Sequence, residues 1–221
     1  MQLVNTTRDD LADYVAAQLV NLFPDRQPRD ELRATIDRDL DEALARLRVN
    51  INAVRIWRPE EFDYLQSEQY GTFLYYLANT IWRNQRDAAK ATCTKLFFLN
   101  KTLNSFNCFY DVELPDKFLV GHSLGIVLAR ATYNNYLVLF QNSTVGKNHG
   151  VAPVIEEGVI LYPNTAVIGR AHVRARTVIS QGTSVINRDT PGDCVVFPGE
   201  GGNLVFKPAT RDILNDLFRL S

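Results

Sequence analysis

Aliphatic residues recur at every sixth position over one stretch of the chain. The set comprises Ile155, Leu161, Val167, Val173, Ile179 and Val185. Four residues after each of these anchors stands Val159, Thr165, Ala171, Thr177, Thr183 or Asp189, most of which are small. A period of six fits neither the helical period of 3.6 nor the two-residue alternation of a strand. It is typical of a parallel β-helix of hexapeptide repeats, in which each hexad forms one flat side of a triangular coil.

The same spacing extends toward the N-terminus. Four further anchors lie six apart, namely Val127, Tyr133, Leu139 and Val145, with Ala131 and Ser143 at two corner positions. Val145 and Ile155, however, are ten residues apart, so the pattern predicts one insertion around 146–150. Such an insertion must loop out at a corner, and loops of this kind often carry function.

The first hundred residues follow a helical period instead. Thr7 with Asp10 predicts an N-cap for a first helix, whose apolar face would contain Leu11, Tyr14, Val15, Leu19 and Leu22. Pro28 and Asp30 then predict the start of a second helix, which alternates an apolar stripe with many charged side chains.

Two more helices are expected before the coil. Pro59-Glu60-Glu61 resembles the first turn of a third helix, and Gly71 is predicted to break it. The stretch 73–82 is apolar almost all round, which indicates a helix buried on several sides. A fourth helix is predicted from about Arg86 to Leu103.

The fold class predicted from these patterns is α+β. An all-helical N-terminal domain would span residues 1–108, and a parallel β-helix would span 109–200. Thr190-Pro191-Gly192 breaks the hexad register, and a C-terminal tail over 201–221 is expected to contain a short helix.

Composition narrows the possible partners. The formal net charge is -1, so no general basic field attracts nucleic acid. No apolar run reaches the length of about 18 residues that spans a bilayer, and the N-terminus becomes acidic too early for a signal peptide. The three cysteines lack CxxC spacing and are expected to be buried, reduced thiols. We therefore expect a soluble, cytoplasmic protein with no membrane or nucleic-acid partner.

Histidines are the main candidates for chemistry. His172 is expected to be an ordinary solvated side chain, whereas His122 precedes the first anchor and His149 lies in the inserted segment. The two would bracket one face of the coil. No HxxxH or CxxC spacing supports a metal site, and no GxSxG elbow, P-loop or GxGxxG motif is present.

Three segments resemble the catalytic part of the serine acetyltransferases. They are GHSLGIVL (121–128), YLVLFQNSTVG (136–146) and PVIEEGVILYPNTAVIG (153–169). The helical N-terminal half is similar to that family as well. The family belongs to the hexapeptide-repeat acyltransferases, so the resemblance implies a left-handed β-helix, an exception to right-handed crossover.

The resemblance implies that His122 is the general base. It would remove a proton from an alcohol that attacks the thioester of acetyl-CoA directly, through a tetrahedral oxyanion. A carboxylate in the segment 111–115 would orient the imidazole, with Glu113 favoured over Asp111, although the spacing to His122 is shorter than in the family. No metal is implied.

The resemblance also implies a binding site for acetyl-CoA in a groove between neighbouring coils of a homotrimer. Its expected contacts are Gly146, Ser180, Gly182, Pro198 and Gly199. Arg174 or Arg176 would be available to the CoA phosphates. The sequence leaves open whether the trimers pair through the helical domain to form a dimer of trimers.

Two departures from the sequence pattern of the family leave the identity of the acceptor open. Gly121 stands where the family has Asp, and Val151-Ala152 stands where it has Arg-His; those residues are expected to hold serine. His149 and Asn148 are candidate replacements in acceptor binding. The acceptor is serine or a related metabolite. The alternatives are an O- or N-acetyltransferase acting on a sugar or nucleotide sugar, and a catalytically silent trimer that binds a partner such as a cysteine-biosynthesis enzyme.

Overall fold

The computed structural model describes residues 1–220, and its N-terminal half is helical. The helices are α1 (Arg8–Leu22), α2 (Arg29–Ala53), α3 (Ser67–Gln85) and α4 (Lys90–Asn104). A short parallel pair, β1 (Gln2–Val4) and β2 (Glu61–Asp63), lies beside them. The helix α3 packs between α2 and α4 and is buried from Gln69 to Ile81, which confirms the prediction of a helix buried on several sides.

The N-caps of the first two helices agree with the sequence. The side chain of Thr7 accepts a hydrogen bond from the backbone N–H of Asp10, and Pro28 immediately precedes α2. The helix predicted to begin at Pro59-Glu60-Glu61 is wrong. Glu60 has a φ of 62°, and its carboxylate binds Arg48 and the N-terminal amine, which fixes this segment as an extended strand beside β1.

The predicted helix break at Gly71 is also wrong, because α3 passes through it without interruption. The glycine instead permits a close approach of α4. Asn100 donates from Nδ2 to the carbonyl of Gly71 at 2.8 Å, and a Cβ at position 71 would lie 3.2 Å from Nδ2 of Asn104.

The second half of the chain is a parallel β-helix with three faces. Face one contains β4 (Phe118–Gly121), β7 (Leu137–Phe140), β10 (Ile160–Leu161), β13 (Val178–Ile179) and β15 (Cys194–Pro198). Face two contains β3 (Phe106–Cys108), β5 (Ile126–Leu128), β8 (Thr144–Gly146), β11 (Ala166–Ile168) and β14 (Ser184–Ile186). Face three contains β6 (Thr132–Tyr133), β9 (Val154–Ile155) and β12 (His172–Val173). The strand β3 joins face two slightly before residue 109, where the sequence places the start of this domain.

The anchors of the hexad pattern fill the interior of the coil. All six anchors from Ile155 to Val185 are fully buried, as predicted. The assignment of Val127 as an anchor is wrong, because its side chain is exposed. Its neighbour Leu128 points inward and pairs with Val145. The spacing from Leu128 to Tyr133 is five residues instead of six, so a strict period of six misplaces the first anchor.

One corner assignment also changes. Asp189 is exposed, and the buried corner beside it belongs to Thr190, whose hydroxyl lies 3.0 Å from that of Thr177. The hexad register therefore breaks at this corner, but the coil continues beyond it, because β15 pairs with β13 on face one.

The C-terminal segment returns to the helical half. The strand β16 (Leu204–Pro208) pairs antiparallel with β15, and the helix α5 (Ile213–Leu217) follows it. Phe218 is fully buried and forms a bridge with Val54. Arg219 donates to the carbonyls of Asn52, Val54, Arg55 and Trp57. In the part of the chain that is described, no helix is both long and apolar enough to cross a membrane.

Candidate functional site

The corner between faces one and two forms a continuous edge, called here the one-two edge. In successive coils its corner residues are Gly125, Asn142, Asn164 and Gly182, with φ angles of 73°, 59°, 61° and 73°. Backbone hydrogen bonds join these corners at 2.8, 3.1 and 3.0 Å. A positive φ is easily adopted by Gly and tolerated by Asn, so these residue types suit the corner.

His122 lies on an insertion in this edge. Before the corner, Gly121 of the first coil pairs with Phe140 of the second; after it, the backbone N–H of Asn142 donates to the carbonyl of Leu124. Between these two contacts the first coil has two residues that the second coil lacks, His122 and Ser123. His122 has a φ of 56°, is exposed, and makes no hydrogen bond through its imidazole to any residue from 1 to 220. The insertion projects an unpartnered imidazole from the edge.

A cavity of 440 Å³ lies at the far end of the same edge. Among its lining residues are Gly182, Pro198, Gly199 and Arg188. The hydroxyl of Ser180 contacts that of Thr183, another lining residue, at 2.9 Å. The structure thus brings together four of the five residues expected to contact the cofactor.

Arg188 is the residue of this cavity that sequence reasoning missed. One of its guanidinium nitrogens donates to the carbonyl of Gly202 at 3.2 Å, and the side chain is otherwise exposed. The residue follows the last anchor, in a segment with no motif. Only its place at the exit from the coil could have drawn attention to it.

Gly125 and Gly182 are separated by three steps between coils. Strands in a sheet are spaced by about 4.8 Å, so the two ends of this edge are roughly 14 Å apart. A long, extended ligand could therefore reach from the cavity to the level of His122.

The corner between faces two and three, called here the two-three edge, contains the predicted insertion. Asn148 and Val151 exchange backbone hydrogen bonds of 2.9 and 3.0 Å. His149 and Gly150 between them have φ angles of 48° and 81°, as in a type I′ turn. The insertion is thus a tight turn with an exposed His149 at its tip. Gly146 lies at the base of this turn, away from the cavity at Gly182.

Asp111 and Glu113 line a separate cavity of 390 Å³ at this second edge, together with Arg130, Ala152 and Pro153. Arg130 donates from Nε to Asp111 at 2.8 Å. Neither carboxylate bonds to His122. Within one chain, the predicted base and its predicted carboxylate partners therefore lie at different edges.

The carboxylate of Glu113 is held by a cation of the helical half. Arg83 donates from Nε to Oε2 of Glu113 at 3.1 Å. Burial is the largest single influence and acts to raise the pKa of Glu113, but the hydrogen bonds from Arg83 and Asn79 and the charges of Arg83 and Arg46 together outweigh it and lower that pKa below its ordinary value. Glu113 is therefore ionised at neutral pH.

The remaining candidates lie on other surfaces. Arg176 pairs with Asp193 at 2.8 Å, and Arg174 and Arg176 do not line the cavity at Gly182. His172 contacts Glu156 at 2.6 Å, so it has a partner. The three cysteines are buried. Within residues 1–220, no cluster of three His, Cys, Asp or Glu side chains is arranged to hold a metal ion.

The fold and the two edges define the class: a β-helix of hexapeptide repeats behind a helical domain. Solved structures to which this chain is similar include serine acetyltransferases. The enzyme from Brucella abortus strain S19 superimposes with a TM-score of 0.70 at 18% identity, covering 94% of this chain and 86% of that one. The Neisseria gonorrhoeae enzyme gives 0.70 at 15%, covering 96% and 84%.

A third structure contains a ligand. It is the Brucella abortus enzyme in complex with coenzyme A, with a TM-score of 0.69, 18% identity and coverage of 93% and 84%. No protein-family model and no curated protein sequence matches the chain. The protein therefore has the left-handed β-helix fold of the serine acetyltransferases, as its sequence predicted.

Proposed function

We propose that this protein transfers an acetyl group from acetyl-CoA to the hydroxyl of a small acceptor, with His122 as the general base. One observation carries the proposal. His122 projects from an insertion at one end of the one-two edge. The cavity lined by Gly182, Pro198, Gly199 and Arg188 lies at the other end of this edge, roughly 14 Å away.

The cavity suits the nucleotide end of CoA. Its glycines allow a close backbone approach, and Arg188 supplies a cation for the phosphates. The pantetheine arm would then extend along the one-two edge and present the thioester at His122. Gly146 at the other edge would contribute to the same groove only from a neighbouring protomer, which agrees with the homotrimer we propose.

The reaction is a direct transfer between the two substrates, in which His122 carries the proton. The imidazole of His122 accepts the proton of the acceptor hydroxyl as the oxygen attacks the thioester carbonyl. The tetrahedral oxyanion collapses with cleavage of the C–S bond, and the imidazolium returns the proton to the departing thiolate. A backbone N–H of the coil would stabilise the oxyanion.

The orienting carboxylate, Glu113 or Asp111, would come from the two-three edge of a neighbouring protomer. The same arrangement would bring Asn148 and His149 near the acceptor. Analytical ultracentrifugation tests the assembly: we expect a mass of three chains or six, whereas a monomer that remains fully active would contradict it. We also propose a cytoplasmic location and a link to cysteine biosynthesis, if serine is the acceptor.

The test of the chemistry is release of free CoA thiol from acetyl-CoA with a panel of acceptors that includes serine. We expect His122→Asn to lower kcat/KM by about 100-fold or more. Asn tolerates the positive φ of this position, so the fold should persist. His172→Ala is the control and should retain the wild-type rate. Wild-type turnover by the His122→Asn variant would disprove the mechanism.

The role of Arg188 can be tested separately. Arg188→Ala should raise KM for acetyl-CoA about tenfold and leave KM for acetyl-pantetheine, which lacks the nucleotide, unchanged. Arg58→Ala, which removes an exposed cation from the helical half, is the control. If Arg188→Ala changed KM equally for acetyl-CoA and for acetyl-pantetheine, the nucleotide would not bind at Arg188.

A catalytically silent trimer that binds a partner is the second candidate. It is favoured by Gly121, Val151 and Ala152, which replace the residues that hold serine in the family. Calorimetry distinguishes the two functions, because the silent protein would bind no CoA.

A further inference from the structure

The two middle corners of the one-two edge carry asparagine side chains that are bonded to each other. Nδ2 of Asn142 donates to Oδ1 of Asn164 at 2.9 Å, and both side chains are exposed. A Cβ at Gly125, on the coil before, would overlap with Oδ1 of Asn142, so glycine at 125 leaves room for this amide. The two asparagines therefore form a short row of amide groups along the edge, called here the asparagine ladder.

The backbone of the edge does not require these side chains. The positive φ angles at 142 and 164 would accept glycine equally well, as the corners at Gly125 and Gly182 show. Part of the ladder is also free to bind a ligand, because the NH2 group of Asn164 and Oδ1 of Asn142 make no hydrogen bond to any residue from 1 to 220. The ladder thus presents exposed donors and an exposed acceptor on this edge.

The proposed route of the acetyl donor passes over the ladder, which lies between the level of His122 and the cavity at Gly182. The pantetheine arm contains two amides separated by two methylene groups. Equivalent atoms of these amides are about 5 Å apart when the arm is extended, and neighbouring coils are spaced by about 4.8 Å. The repeat of the arm therefore matches the repeat of the coil, and each amide can meet one asparagine.

We infer that Asn142 and Asn164 bind the two amides of the pantetheine arm and so position the thioester at His122. This inference rests on the proposed acetyl transfer and assigns two further binding residues to its donor site. The amide next to the thioester bonds to Asn142, and the second amide accepts a hydrogen bond from the NH2 group of Asn164. A Cβ at Gly182, on the next coil, would meet no atom of residues 1–220 within 4 Å, so this corner has room for the branched end of the arm.

Glycine variants test the ladder, because glycine keeps the positive φ of both corners. We expect Asn142→Gly and Asn164→Gly each to raise KM about threefold to tenfold for acetyl-CoA and for acetyl-pantetheine, as the loss of one hydrogen bond does. The Kd of CoA, measured by isothermal titration calorimetry, should rise by a similar factor. Arg188→Ala differs, because it should raise KM for acetyl-CoA alone.

Asn164→Asp separates ligand binding from a role in the backbone. Aspartate also tolerates a positive φ and can still accept the hydrogen bond from Asn142, but it has no NH2 group. We expect this variant to raise KM for acetyl-pantetheine, which has no phosphate to be repelled, at least as much as Asn164→Gly does. A wild-type KM for acetyl-pantetheine in Asn164→Asp would show that position 164 has only a structural role.

Asn5→Gly is the matched control. Asn5 is exposed and has a φ of 56°, but it lies in the helical half. The variant should keep the wild-type KM for both donors and the wild-type Kd of CoA. Circular dichroism of each variant establishes that it is folded.

The possible failures are distinguishable. If CoA binds and thiol release depends on His122, but both glycine variants keep the wild-type KM and Kd, the inference is overturned while the proposed function stands. An increase in KM for acetyl-CoA that is absent for acetyl-pantetheine also overturns it, because the asparagines would then act on the nucleotide. If the wild type binds no CoA, the proposed function and the inference fail together.

Discussion

The ring of Phe140 occupies the space in which a side chain at position 121 would stand. A Cβ at Gly121 would lie 2.9 Å from Cε1 and 3.0 Å from Cδ1 of this ring. Real Cβ atoms do not approach so closely, so any side chain at 121 must displace Phe140. Glycine at 121 and phenylalanine at 140 therefore depend on each other.

Restoring the acidic residue of the family at this position should consequently destabilise the fold. We expect Gly121→Asp to lower the free energy of unfolding by about 1–3 kcal/mol, as overpacking does, measured by urea denaturation. In a Phe140→Ala background the same change should cost clearly less, because the ring is absent. Strictly additive effects in this double-mutant cycle would show that the two positions are independent.

The corrected anchor of the first coil gives a second prediction. Leu128 points into the coil and is 4% exposed, whereas its neighbour Val127 is 40% exposed. Leu128→Ala should cost about 2–4 kcal/mol of unfolding free energy, because it leaves a cavity. Val127→Ala should change it by no more than about 0.5 kcal/mol. If urea denaturation showed a larger loss of unfolding free energy for Val127→Ala than for Leu128→Ala, Val127 would be the anchor.

Phe218 connects the two halves of the chain. Its side chain is fully buried, forms an edge contact with Tyr136 of the coil at 5.3 Å, and lies beside Val54 at the end of α2. Phe218→Ala should therefore lower the free energy of unfolding by about 3–5 kcal/mol. Leu220→Ala, which removes an exposed side chain nearby, is the control. Faster hydrogen exchange around Val54 in the Phe218 variant would locate the loss.

Much of the fold could be predicted because the coil imposes a strict repeat. Each hexad must place an aliphatic residue inside and a small residue at the corner, so the anchors from Ile155 to Val185 follow from the sequence alone. Val127 was misassigned because one residue is missing from a corner, which a fixed period cannot detect. Gly71 was misread because its role is a contact with Asn100, distant in sequence.

The candidate site was less predictable from the sequence than the coil on which it lies. The pattern located the insertion that contains His149, because the register visibly fails there. The insertion that contains His122 lies before the first reliable anchor, so no register existed to reveal it. The position of Arg188 beside Gly182 depends on which coils are adjacent. Sequence spacing alone does not assign side chains to a shared surface.

Glu60 gives a prediction of pH dependence. Hydrogen bonds from Arg48 and Asn52, together with the N-terminal amine, lower the pKa of Glu60 from 4.5 to about 2. Because the folded pKa lies below the unfolded value, the carboxylate contributes stability that is fully present above pH 4.5. That contribution is lost as the pH falls through about 2.

The wild type should accordingly have a higher Tm than Glu60→Gln at pH 7, by a margin that narrows progressively between pH 4.5 and pH 2, since glutamine does not titrate. Thermal unfolding followed by circular dichroism across this range measures the margin. Glu200→Gln is the control, because Glu200 is exposed and its carboxylate makes no ion pair within residues 1–220; its margin should stay near zero. If the difference in Tm between the wild type and Glu60→Gln stayed constant down to pH 2, the carboxylate would not act through these bonds.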